Sequence, residues 1–269
     1  MTSSTAFFAA DGDAFVPAPI ARGPWGDTIS GNYLGGLLGY VLERDAGDPD
    51  FQPTRLTVDM FRPAALAPVR VDTSVVRQGR RIKLVDAFVI QGDVVVARGT
   101  GLFLRRGEQP DDEIFTTPVP MPPVPPVPDE IPAGLTTLIW TFGKENRAPG
   151  PAFGLEAWQT SGPKHIWVRD LCTLVEGVPL SPFTRAAMAG DMASSLTHFG
   201  PSGLRFINAD YTLSLSRLPE GDYLGLAALI HTSHAGIATG VATLSDEFGP
   251  IGSATANALS NPGFAPRRP

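Results

Sequence analysis

The strongest constraint on this chain is that its two halves run in the same order. In each, a helical stretch rich in small residues is followed by four runs of alternating apolar residues. Gly36 in the first helical stretch stands 26 residues before Arg62, and Asp191 in the second stands 26 residues before Arg217. Proline follows each arginine closely, as Arg62-Pro63 and Arg217-Leu218-Pro219. From those arginines to the final hairpin glycines, Gly92 and Gly249, the spacing is 30 residues in one half and 32 in the other. A repeat this long means a duplicated domain rather than a solenoid. The predicted class is α+β: a helix wrapped by a curved antiparallel sheet, made twice, with the sheets pairing side by side.

Local patterns fill in that frame. Residues 1–20 read as a leader strand or arm. Thr28 or Ser30 opens a helix through GNYLGGLLGYVLER, with Tyr33, Leu34, Leu37, Leu38 and Val41 on its buried side. Its glycines, Gly31, Gly35, Gly36 and Gly39, each cost about 1 kcal/mol against alanine, an expense tolerated where another backbone or a ligand comes close. Strands are predicted over 54–61, 69–78, 81–91 and 94–104, with turns at Gln78-Gly79-Arg80 and Gln91-Gly92-Asp93. The run MPPVPPVP at 121–128 lacks donors for a sheet ladder and reads as a polyproline-like linker. The division is therefore 1–106, linker 107–150, and 151–269. In the second half strands are predicted over 153–159 and 165–170. A helix then starts at Ser181-Pro182 and ends near Gly200-Pro201. Strands over 204–216, 222–232, 236–246 and 250–259 follow.

Composition narrows the function classes. A net charge of −6 argues against a nucleic-acid partner. The single cysteine, Cys172, excludes an internal disulfide, fits a reducing compartment and reads as a buried apolar filler. The first residues have no basic start, and no apolar run approaches the roughly 18 residues that span a bilayer. A cytoplasmic protein is expected.

The candidate chemistry centres on Asp191. Phe183, Ala186, Ala187, Gly190, Ala193 and Ser194 make the second helix one the protein buries. A carboxylate within it needs partners or a task, so it is either a hydrogen-bonded structural acid or a functional one. Ser194 and Ser195 beside it suggest a serine nucleophile, but no G-x-S-x-G elbow exists. Of the histidines, His165, His198, His231 and His234, the last two stand three apart in a strand region and so on opposite faces. No metal site is expected. The glycine-rich helix is not preceded by the strand that a dinucleotide fingerprint requires; packing is its other reading. Arg77, Arg80, Arg81 and Lys83 form a basic cluster at one turn that phosphates could use, though a solvated hairpin face is the commoner reading.

Three segments, SGNYLGGLLGYVLE, RLTVDMFRPA and VVRQGRRIKLVDAFVIQGDVVVARGTGLF, resemble the first half of the TesB-like acyl-CoA thioesterases. HIWVRD, AGDMASS, FINADYTLSLSR and GPIGSATANAL resemble their second half. The likeness covers most of residues 25–260 apart from the linker, and implies a double hotdog. It also implies an acid at Asp191, a hydroxyl position that falls on Asn208 and a glutamine position that falls on Asn257. One of three is kept and two are asparagine. Hydrolysis of an acyl-CoA to free acid and coenzyme A would follow, with no cofactor beyond the coenzyme A of the substrate. Backbone N–H groups of residues 31–36 would receive the thioester oxygen, which makes Gly31, Gly35 and Gly36 the substrate-binding candidates. The alternative is a non-catalytic acyl-CoA or acyl-chain binding protein. A hotdog hydratase is disfavoured because Asp191 and His198 stand seven apart, too far for its short acid–histidine motif. A homodimer or larger homo-oligomer is expected.

Overall fold

The computed structural model describes residues 6–143 and 155–264. In chain order the elements are β1 (Ala6–Asp11), β2 (Ala14–Pro17), α1 (Gly31–Ala46), β3 (Phe51–Met60), β4 (Val69–Gln78), β5 (Ile82–Gln91) and β6 (Val94–Arg105). After the proline-rich stretch come β7 (Thr137–Phe142), β8 (His165–Asp170), β9 (Thr173–Val175) and α2 (Pro182–His198). The chain closes with β10 (Phe199–Gly200), β11 (Gly203–Asn208), β12 (Asp210–Leu215), β13 (Leu224–His234), β14 (Ile237–Asp246) and β15 (Gly249–Phe264).

The duplication is exact in register over three strands. β4 opens at Val69 and β13 at Leu224; β5 opens at Ile82 and β14 at Ile237; β6 opens at Val94 and β15 at Gly249. Each pair is offset by 155 residues. All strands belong to one 15-stranded, almost wholly antiparallel sheet, whose main path runs β7-β8-β13-β14-β15-β12-β3-β6-β5-β4-β2-β1-β9. The halves join where β12 pairs β3, from Asp210 opposite Asp59 to Ser214 opposite Arg55. This is a double hotdog: α1 packs on β3 to β6, and α2 on β8 and β11 to β15.

The two helices also pack on each other, and glycine decides how closely. A methyl group on Gly39 would meet the Ala187 methyl at 2.7 Å, and one on Gly36 would meet the Met188 side chain at 2.5 Å. Ser181 starts α2 as its sequence suggests. Its hydroxyl accepts the Thr184 N–H at 3.0 Å and donates to the Glu43 carboxylate of α1, which ties the helices together.

The sequence reading departs from the structure in four places. Residues 153 and 154 of the predicted 153–159 strand lie outside the described residues, and Leu155–Trp158 is a 3₁₀ turn. The place beside β8 is taken by β7, so that turn has no ladder to join. Trp158 is instead buried, its indole N–H donating to the His165 carbonyl at 3.2 Å. β7 itself was hidden by the proline-rich stretch before it. The predicted strand over 204–216 breaks at Ala209, whose N–H donates to Asn257 and whose carbonyl accepts from Met60. The leader arm is a hairpin whose β1 pairs in parallel with β9 of the second half.

Candidate active site

A cleft of about 680 Å³ opens between the start of α1, the middle of α2 and the ends of β3 and β11. Leu34, Met60, Met192 and Phe206 give it apolar walls, and Asp191, with Asn208, supplies its polar centre. The Asn208 amide donates to one Asp191 oxygen at 2.9 Å. A carboxylate only accepts, so the amide nitrogen must face it and Asn208 Oδ1 faces elsewhere. Burial pushes the Asp191 carboxyl up to about 6, and the hydrogen bond from Asn208 opposes that rise.

Across from this acid stands the start of α1. A methyl group on Gly31 would lie 2.9 Å and 3.0 Å from the two Asp191 oxygens. Ser30 precedes the helix in extended conformation and makes no side-chain capping bond. The first N–H groups bonded into the helix are those of Tyr33 and Leu34, both to the Ser30 carbonyl. Among the described residues the N–H groups of Gly31 and Asn32 are therefore open donors at the positive end of the helix dipole, beside a carboxylate.

The structure sorts the six predicted site residues into two sets. Asp191, Asn208 and Gly31 come together in the cleft. Gly35 and Gly36 do not line it. A methyl on Gly35 would land 1.8 Å from the Tyr211 hydroxyl, and Gly36 faces Met188 and Leu174. Both glycines serve packing, which corrects their expected role in binding substrate. Tyr211 fills the space that Gly35 leaves. It is fully buried, touches Gly190, and donates its phenol to the Ala187 carbonyl one turn before Asp191 at 2.8 Å.

Asn257 is also placed elsewhere. It is exposed between buried Ala256 and Ala258, on the face of β15 turned away from α2. Its amide donates to both Asp210 oxygens, at 3.1 Å and 2.9 Å, and its backbone N–H donates to the same carboxylate. The alternation of β15 decides this, because a strand residue between two core alanines must point outward.

The histidines take partners the spacing did not suggest. His198 at the end of α2 meets His231 of β13, Nδ1 to Nδ1, at 2.9 Å. Burial and the neighbouring His231 push His198 down to about 4. Seven residues along a helix is about 10 Å, so this pair stands two turns from Asp191. No cluster of three or more metal-ligating side chains occurs among the described residues. Nor is any described helix long and apolar enough to cross a membrane.

Comparison with known proteins agrees with this architecture. Residues 21–104 match a family model described as the acyl-CoA thioesterase N-terminal domain. The TesB protein of Mycobacterium avium subspecies paratuberculosis superposes with a TM-score of 0.66 at 14% identity, over 95% of this chain and 96% of that one. Acyl-CoA thioesterase II TesB2 of Mycobacterium marinum gives 0.62 at 14% identity, over 93% of each chain. The chain shares the double-hotdog fold of these proteins. A hot dog protein of unknown function from Alicyclobacillus acidocaldarius gives 0.64 at 19% identity, over 96% of each chain. No curated protein matches the sequence.

Within this fold, several lining residues escaped the sequence reading. Asn32 and Asn261 line the cleft, as do Phe61 and Arg62 from the segment that closes the first repeat strand. Arg62 was visible as a landmark of the repeat, though not as a wall. Asn261 lay past the expected end of the last strand, which runs on to Phe264.

Proposed function

We propose that this protein hydrolyses acyl-CoA thioesters to free acid and coenzyme A, with Asp191 as the base that takes a proton from water. The observation that carries the reading is the approach of the Asp191 carboxylate to Gly31, at the uncapped start of α1, inside an apolar-walled cleft. A thioester carbonyl lying between them would have its oxygen at open backbone donors and its carbon within reach of a water on the acid.

The step balances with these parts. The water oxygen bonds to the thioester carbon while one water proton passes to Asp191, and the carbonyl oxygen becomes an oxyanion beside the N–H groups of Gly31 and Asn32. Collapse breaks the carbon–sulfur bond, and the departing thiolate takes the proton that Asp191 received. Asp191 is suited to both halves of this exchange because burial holds its carboxyl at about 6, near working pH.

One observation favours the binding-protein alternative: Asn257, at the position where the resemblance expects glutamine, is committed to Asp210. Free-thiol release from acyl-CoAs of graded chain length, in the native protein and in Asp191→Ala, separates the two. Hydrolysis lost in the variant supports the thioesterase. Binding without release in the native protein supports the binder.

A further inference from the structure

We propose that Ser194 and Ser195 supply the hydroxyl that holds the hydrolytic water beside Asp191, in place of the hydroxyl absent at Asn208. The inference rests on the reading of Asp191 as the base and names the missing part of that site.

A water that gives one proton to Asp191 and aims a lone pair at a carbonyl carbon has one more O–H and one more lone pair to place. Asn208 has no donor left for the lone pair, because its amide is spent on Asp191 at 2.9 Å and reaches the Asp210 carbonyl at 3.5 Å. The open N–H groups of Gly31 and Asn32 are those that face the thioester oxygen. A separate neutral donor is needed.

Ser194 and Ser195 stand three and four residues after Asp191 on α2, and both line the cleft with it. At that spacing helix side chains share a face, their Cβ atoms about 5–6 Å apart. Neither hydroxyl bonds the carboxylate directly, and one water between them would join hydroxyl and acid. Neither hydroxyl makes a hydrogen bond to another described residue. Thr197, on the same helix, behaves differently and returns its hydroxyl to the Ala193 carbonyl at 2.8 Å. Ser194 is only 3% exposed, so the cleft is where a partner for its hydroxyl can enter.

The test is steady-state thiol release by Ser194→Ala, Ser195→Ala, the double variant and Ser195→Thr, with Asp191→Ala alongside. Alanine favours a helix more than serine does, so the fold should survive, and circular dichroism checks it. The double variant is expected to lose at least about tenfold in kcat, the scale of one hydrogen bond to the reacting water, with KM within twofold of native. Ser195→Thr, which keeps a hydroxyl, should stay closer to native than Ser195→Ala. A double variant with native kcat, or one in which only KM rises, overturns the proposal while leaving Asp191 as base. Native activity in Asp191→Ala overturns both readings together.

Discussion

Replacing Asp191 by asparagine should stabilise the protein while abolishing hydrolysis. The folded chain holds this carboxyl at about 6, against 3.8 for the free side chain, because burial disfavours the charge. At about 1.4 kcal/mol per tenfold change in proton affinity, the buried carboxylate costs about 3 kcal/mol at pH 7. Asparagine has nearly the same shape, carries no charge and still offers Asn208 an acceptor. The gain should raise Tm by roughly 5–10 °C for a chain of this size. The sign with pH follows from linkage. The folded pKa lies above the unfolded one, so the native protein is favoured by this group at low pH and loses that contribution as pH rises from about 4 through 6. The advantage of Asp191→Asn should therefore be full at pH 7 and shrink below about 1 kcal/mol at pH 4. Thermal and urea unfolding of both proteins at the two pH values would measure it. A variant less stable than native at pH 7, or a gap equal at both, would refute the electrostatic reasoning.

Hydrolysis itself should follow the same titration, with kcat/KM rising as pH increases through about 6 and levelling above it, since the base works only when ionised. The glycines of α1 should separate by role. Gly31→Ala drives a methyl against the Asp191 oxygens and should depress kcat with little loss of stability, whereas Gly35→Ala collides with buried Tyr211 and should cost about 1–3 kcal/mol or more in unfolding experiments. Asn257→Ala should leave kcat near native, because its side chain serves Asp210 on the opposite face of the strand; a loss of a hundredfold would restore it to the site.

Much of the fold was legible because hydrophobic period and turn chemistry acted together. β5 alternates through most of its length and β4 at its start, and the two meet at Gln78-Gly79-Arg80, so their existence and pairing could be read directly. Asp191 was legible for a related reason: a charge inside a stripe of small apolar residues is conspicuous on energetic grounds alone. What sequence could not give was direction across long separations. Whether Gly35 faces substrate or a side chain depends on Tyr211, 176 residues later, and nothing local to α1 announces that phenol. Asn257 shows a different limit. Its likeness to a glutamine position fixed its place along the chain, but β15 turns its side chain outward between Ala256 and Ala258. β7 was lost because six residues behind a proline-rich run carry too little pattern to outweigh it.

The 155-residue offset between the halves has a consequence for stoichiometry. It places Gly36 as the counterpart of Asp191, and Gly36 is packed against Met188 and Leu174 with no room for a carboxylate. A pair of identical subunits would carry two equivalent centres, each built from one copy's helix start and the other copy's acid. Here the copies have divided those tasks, the first keeping the helix start and the second keeping the acid. On the proposed reading the place of a second centre is given over to packing, and a saturating ligand should titrate at one equivalent per chain rather than two.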